Sequence, residues 1–374
     1  MKKALMLIFL LPILTGCWDR LPLKKLHLVD VNGFDLNEKT NEVEALFLIT
    51  KLKSAGQGTG EPISVMKKLK GPTLAESISE WENFEQSPFI GISTRVYLMS
   101  QNFASHDPVS ELDFVLDAPY SSINTPLIVI EGNLSELLET SAKENTEFSK
   151  ELDELILSME ENRIIPTVSM MNFIQSRDEP LADLALPVFK ELDSNLELDG
   201  ALLYRNGNPT GKKLETEQVK MMMLLLGGNV GRQRFTGNFA KQNTEKSLTE
   251  NANKINYGFT IKKNNTKFNL ANGTKKLPKI TLSVNLKVYV FELGKGKHGL
   301  KPDYAHKMEK KLNKHFEELA ADTIKIMQTA NSDPLGIGMQ IRAYHPKVWK
   351  SLNWRKDYPK MSIEPKFDIK FLNS

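Results

Sequence analysis

The chain of 374 residues is long enough for two to three domains, and its 40% apolar content is that of a globular protein with a buried core. Its 49 basic and 46 acidic residues nearly cancel and no long basic block occurs, which excludes a protein held to nucleic acid by sequence-independent phosphate contacts. A single cysteine excludes a disulfide-stapled scaffold, so stability has to come from packing.

At the start, Lys2 and Lys3 precede an apolar run from Ala4 to Leu14, broken only by Pro12. The small pair Thr15-Gly16 leads to Cys17, and the chain then turns polar at Trp18-Asp19-Arg20. The pattern predicts an export signal over residues 1–16, cut between Gly16 and Cys17. The run falls short of the ~20 residues a membrane span needs. Small residues before a cysteine at the cleavage point match a bacterial lipobox. Cys17 is therefore expected to carry S-diacylglycerol, and its freed amine is a site for N-palmitoylation. Two acyl chains anchor stably where one is marginal. The expected location is the outer face of a membrane. Removing Lys2 and Lys3 from the 49 basic residues leaves 47 against 46, a net charge of +1.

Behind the leader, Leu26 to Asp35 and Val43 to Lys51 read as strands joined by the turn-forming Asn37 to Asn41. Gly56, Gly58 and Gly60 mark a flexible loop, because Glu61-Pro62 do not open the helix a phosphate cradle requires. Thr73 with Glu76 forms a capping box, and Leu74, Ile78, Trp81 and Phe84 extend the helical spacing over 73–86. A strand over 94–100, a helix opened by Asp107-Pro108 with Leu112, Val115 and Leu116 inward, and a strand over 126–131 follow. Phe148, Leu152, Leu155, Ile156 and Met159 then form one helical stripe.

A second unit is expected from about Leu196. It opens with a strand through Leu198 to Tyr204, a turn at Asn206 to Pro209 and a return strand to Leu214. An apolar helix through Val219 to Leu226 ends at Gly227-Gly228, and its Met221 to Met223 are expected to fill core. Ile280 to Val290 alternates apolar and polar residues, as in a sheet covered on one side with antiparallel neighbours. A helix over 303–330 and a terminal strand carrying Ile363, Phe367, Ile369 and Phe371 complete the chain. The expected fold is α/β to α+β, with mixed sheets packed with helices. A 17–195 region, divisible near 100, precedes a 196–374 domain.

No chemistry emerges from the motifs. The six histidines, at 27, 106, 298, 306, 315 and 345, form no zinc pattern. His306 and His315, nine residues apart at ~100° each, point to opposite helix sides and are expected to be solvated. No Gly-x-Ser-x-Gly elbow occurs. Gly294 to Gly299 spells Gly-x-Gly-x-x-Gly, but an alternating strand before it and a long helix behind it do not suit a dinucleotide. It reads as a basic crossover loop, with Lys295 and Lys297 free to meet a partner or lipid headgroups. Asn264-Asn265-Thr266 is expected to mark a polar turn, and Asp153, Glu154, Glu160 and Glu161 a solvated helix face. Catalytic, cofactor and metal residues are expected to be absent.

Taken together, Leu14 to Arg20, Leu198-Asp199-Gly200-Ala201-Leu202-Leu203-Tyr204 with Thr210-Gly211 and Glu217, Asp333-Pro334-Leu335-Gly336-Ile337-Gly338 and the Trp349 to Trp354 region resemble the Ger(x)C (GerABKC lipoprotein) family. These are the C subunits of spore germinant receptors. The resemblance runs through the whole chain, departing from the family at the Lys-rich Gly294 to Gly299 loop and around Arg232 to Lys246. It implies a non-enzymatic subunit on the spore inner membrane, working with integral membrane A and B subunits to trigger germination by nutrients. The alternative is a lipid-anchored solute-binding protein that captures a small nutrient between two lobes.

Overall fold

The computed structural model describes residues 27–51, 63–79, 89–117, 121–193, 195–228, 233–240, 254–275, 277–294 and 301–372. The signal, Cys17, the Gly56 to Gly60 loop and the 295–299 part of the basic loop lie outside the described residues.

β1 (His27–Asn37) and β2 (Glu42–Lys51) form the expected antiparallel hairpin. Its turn is closed by the Asn41 N–H on the Asn37 carbonyl at 2.8 Å, while Asn37 Oδ1 accepts from the Lys39 N–H at 3.0 Å. β3 (Ile63–Gly71) adds an outer antiparallel strand. The helix expected over 73–86 starts as read, with Thr73 Oγ1 accepting from the Glu76 N–H at 3.2 Å. Its described part, α1 (Leu74–Ser79), ends before Trp81 and Phe84, which lie outside the described residues.

β4 (Phe89–Ile90) and β5 (Val96–Ser100) run parallel to β1. Three short helices, α2 (Gln101–Ala104), α3 (Pro108–Leu112) and α4 (Phe114–Asp117), cross to β6 (Leu127–Glu131), parallel to β5. Asp107 Oδ1 accepts from the Ser110 N–H at 3.4 Å to start α3, with Pro108 in its first turn as the sequence indicates. From β6 the chain passes through α5 (Leu134–Glu144), α6 (Phe148–Glu161) and α7 (Met170–Gln175) to β7 (Leu184–Leu192), again parallel. Pro187 is tolerated in β7 because the ladder to β6 starts one residue later, at Val188.

The antiparallel β8 (Asn195–Arg205) and β9 (Asn208–Leu214) complete a nine-stranded sheet of order β3-β2-β1-β5-β6-β7-β8-β9, with β4 beside β1. Residue 100 ends a central strand, and the expected boundary near 196 falls at the β7–β8 turn, so the sheet continues past both positions. Its two faces bury separate cores. Phe34, Tyr97, Phe103, Leu112 and Phe173 lie on one side, and Leu46, Leu98, Ile130, Leu138 and Ile156 on the other, giving helix–sheet–helix layers.

α8 (Thr216–Leu226) buries Val219 and Met221 to Leu225 alike, as a helix apolar all round must. It can do so because it lies in a core that joins Ala185, Ala201 and Leu214 of the first sheet to Val284 and Phe316 beyond. The second sheet has the order β10 (Arg234–Ala240), β11 (Lys254–Lys275), β12 (Leu277–Leu293) and β13 (Ser362–Phe371). β11 is antiparallel to β12 as expected, but β13 is parallel to it. The reason is α9 (Pro302–Ala330), which makes β12–α9–β13 a crossover unit that returns the chain in the same direction. α10 (Ile337–Tyr344), α11 (Pro346–Trp349) and α12 (Trp354–Asp357) fill the connection to β13.

α9 also protects the edge of β13. Glu309, Asn313 and Glu317 accept from the backbone N–H groups of Phe371, Ile369 and Phe367 at 2.9, 2.8 and 3.1 Å. Four helical residues advance ~6 Å and two strand residues ~6.6 Å, so the spacings match. The next outward position, Pro365, carries no N–H, and the next helical position is Ala321, which has no acceptor. Asn313→Ala is expected to leave the Ile369 N–H unpaired and cost about 1–3 kcal/mol, seen as a lower urea midpoint at unchanged m.

Candidate functional site

Two of the family-bearing motifs, Asp333 to Gly338 and the Trp349 to Trp354 region, meet where the two halves of the chain touch. Asn206-Gly207, the loop Asn331 to Gly338 and the segment Trp354 to Tyr358 surround Asp183, whose side chain is 1% exposed. Both Asp183 oxygens are fully used. Oδ1 accepts from Arg355 Nη2 at 2.7 Å and the Asn206 N–H at 3.2 Å, and Oδ2 from Arg355 Nη1 at 2.6 Å and the Asp333 N–H at 2.7 Å. This is the two-pronged guanidinium–carboxylate pair, in which Arg has no substitute of equal geometry. Arg355 also donates to the Pro180 carbonyl, Asn206 Oδ1 and the Asn331 carbonyl.

Around this pair the polar groups of both halves interlock. Ser332 Oγ donates to the Tyr204 carbonyl at 2.8 Å, Tyr358 Oη to the Ser332 carbonyl at 3.1 Å, and Tyr204 Oη to the Ala104 carbonyl. Gln328 Nε2 bridges the carbonyls of Tyr358 and Met361, each at 2.9 Å. Asp333 Oδ2 accepts from the Gly338 N–H at 2.8 Å. Burial, with Asp183 nearby, pushes the Asp333 carboxyl up to about 7 against the pull of its backbone hydrogen bonds and Arg355. Gly338 is required, since a Cβ there would lie 2.7 Å from Cε2 of the Trp354 indole.

A second arginine clasps in the opposite sense. Arg163, in a left-handed conformation behind α6, donates to the Gly227 carbonyl at the C-terminus of α8, where the helix dipole favours a cation. The same helix end is capped from β11, where Asn264 Nδ2 and Thr266 Oγ1 each donate to the Leu224 carbonyl at 2.9 Å. The polar turn expected at Asn264 to Thr266 is therefore mid-strand, its amide and hydroxyl spent on helix carbonyls.

Asp199 is the extra residue where the β7–β8 register shifts between Val188 and Phe189. Burial would raise its carboxyl, but hydrogen bonds from Lys190 at 2.5 Å and from Lys213 outweigh that and hold it well below the usual range. The following Gly200 has φ +139°, and a Cβ would strike the Leu214 carbonyl oxygen. Asp199-Gly200 thus serves the sheet.

His306 is exposed, whereas His315 is half-buried and not solvated as expected. Its Nε2 lies 3.2 Å from Tyr257 Oη, and burial lowers its pKa. Grooves open on the first half. One of about 510 Å³ lies between α5, α6 and the β7–β8 turn, one of about 450 Å³ between β3 and α5, and one of about 350 Å³ beside Phe103, His106 and Pro108. Among the described residues no three His, Cys, Asp or Glu side chains are placed to hold a metal, and no helix is long and apolar enough to cross a membrane. Gly16 and Cys17, the residues the sequence singles out for cleavage and acylation, lie outside the described residues. Sequence reading did not single out Asp183, Arg355 or Arg163. Their partners stand 172 and 64 residues away, beyond any local pattern.

Residues 19–191 match the family description "Spore germination protein N-terminal domain", and residues 199–374 match "Spore germination B3/GerAC like, C-terminal". The chain is 22% identical over 374 residues to spore germination protein GerQC of Bacillus cereus, covering all of this chain and 99% of that one. The crystal structure of the GerBC protein superposes with a TM-score of 0.58 at 15% identity, over 91% of this chain and 97% of that one. Arg163 and Arg355 each reach from one matched region into the other. The chain belongs to the Ger(x)C family, the C subunits of spore germinant receptors.

Proposed function

We propose that the protein is a lipid-anchored, non-enzymatic accessory subunit of a nutrient germinant receptor. It is tethered through acylated Cys17 to the outer face of the spore inner membrane, beside the integral A and B subunits. The observation that carries the reading is the joint one of anchor and family: the matched region begins at residue 19, directly behind the lipobox that ends in Cys17. Nine residues separate Cys17 from His27, at most ~35 Å of extended chain, so the tether keeps the folded part beside membrane-spanning partners at high effective concentration. Of the strongly shifted groups, Asp333, Tyr204 and Tyr358 are sealed inside the protein, where they hold the two halves together. Capture of a nutrient between the halves would have to displace Arg355, Asp333 and Tyr358, and for that reason the accessory role is preferred.

Cys17→Ala is the direct test. The variant should incorporate no labelled palmitate, move from the membrane to the soluble fraction and weaken nutrient-triggered germination. A variant that is still acylated and fully membrane-retained removes the anchor from the reading.

A further inference from the structure

The second sheet carries α8 and α9 on one face, and its other face is open among the described residues. On that open face the strand register sets Lys263, Lys287 and Lys370 directly opposite one another across β11, β12 and β13. Lys267 and Lys366 flank Ser283 further along, and Lys279 continues the series. Like charges directly opposite destabilise a sheet, so stability does not account for this row. Against these lysines stand Glu364, 2.6 Å from Lys279, and Asp368 and Glu309, 3.3 and 3.6 Å from Lys370. Lys263, Lys267, Lys287 and Lys366 have no carboxylate partner among the described residues. The chain as a whole is nearly balanced in charge, which makes the one-sided face a local feature. The same side of β12 ends in two aromatics, Tyr289 at 50% and Phe291 at 40% exposure. Phe291 lies over Gly258, where a Cβ would meet its ring at 2.4 Å.

We infer that this open face docks on an anionic phospholipid surface, with the lysines over the headgroups and Tyr289 and Phe291 at the interface. The charge complements that of anionic lipids, and lysines flanked by aromatics suit the boundary between headgroups and water. The inference rests on the Cys17 anchor for its closeness to a bilayer, and it adds an orientation that an anchor alone does not give.

The test uses the full acylated chain reconstituted on vesicles of phosphatidylcholine alone or of phosphatidylcholine with phosphatidylglycerol. Lysines are acetylated with a water-soluble reagent and quantified by mass spectrometry. Labelling of Lys263, Lys267, Lys287 and Lys366 should fall about five-fold or more on the anionic vesicles and recover at high salt, while Lys150 and Lys347 label equally on both. In Lys263→Glu/Lys287→Glu, exposed changes that leave the thermal melt unaltered, Lys267 and Lys366 should label on anionic vesicles as on neutral ones. Equal labelling of the wild type on both vesicles overturns the inference, as does protection that arises only when the receptor's membrane subunits are added. Failure to float with neutral vesicles would indict the anchor instead. Flotation with anionic vesicles then decides the docking, and a chain that floats with neither sinks it.

Discussion

Arg355→Met is expected to lower the unfolding free energy by about 3–5 kcal/mol, the largest single loss in the molecule outside its apolar cores. The substitution keeps most of the stem packing and removes the guanidinium, leaving the Asp183 carboxylate inside the protein with only the Asn206 and Asp333 N–H groups to solvate it. It also frees the carbonyls of Pro180 and Asn331. Arg355→Lys should recover part of the loss, because an ammonium restores charge but cannot hold both oxygens of Asp183 at once. Arg355→Met combined with Asp183→Asn should be less unstable than the sum of the single changes, since the double variant no longer buries an uncompensated charge. Urea unfolding reads all three. A loss below about 1 kcal/mol for Arg355→Met, or strict additivity in the double variant, would mean that the pair does not carry the junction.

That junction explains how the two matched regions behave as one subunit. Each supplies an arginine to the other, Arg163 to the end of α8 and Arg355 to Asp183, and one apolar cluster runs from Ala185 and Leu214 into the second sheet. The halves are thus joined by hydrogen bonds from both sides and by a shared apolar core, in addition to the chain connection.

The parts of this architecture legible in the sequence are those fixed by local physics. The hairpin 27–51 follows from five consecutive turn formers, and β12 and α9 from unbroken periods of two and of three to four residues. The consecutive methionines of α8 signal burial on every side, but only the structure shows that two sheets supply it. The rest depends on distant partners. β3 carries Lys67, Lys68 and Lys70, and reads as a polar segment until Glu44 of the neighbouring strand is found within 2.7 Å of the Lys70 Nζ. Alternation in β13 gives its buried face but not its direction, which the intervening helix decides. Asn264 and Thr266 look like turn residues because their acceptor, Leu224, lies some forty residues back. The junction was visible only as the separate motifs Asn206-Gly207, Asp333 to Gly338 and Trp354, with nothing to show that they converge on Asp183.

Asp333→Asn should remove a pH dependence that runs against ordinary acid denaturation. The Asp333 carboxyl is raised to about 7 in the folded protein, so between pH ~4 and pH ~7 the native state holds a proton that the unfolded chain has released. Its contribution to stability is complete below the unfolded value and is lost as pH rises through about 7. Between pH 5 and pH 8 this amounts to about 2–3 kcal/mol. Glu160, raised to about 7 by burial, acts in the same direction, while His315, lowered by burial, acts in the opposite one. Asp199 stays ionised throughout this range, its carboxyl being held down by Lys190 and Lys213, and loses its stabilisation only in stronger acid. Comparing wild type with Asp333→Asn in the same buffers cancels these other groups. Asparagine keeps an oxygen for the Gly338 N–H and carries no charge to bury, so the variant should match the wild type below about pH 4 and exceed it by a margin that grows up to pH 8. Parallel stability curves for the two proteins would show that Asp333 is ionised in the junction at neutral pH and that Arg355 neutralises both carboxylates at once.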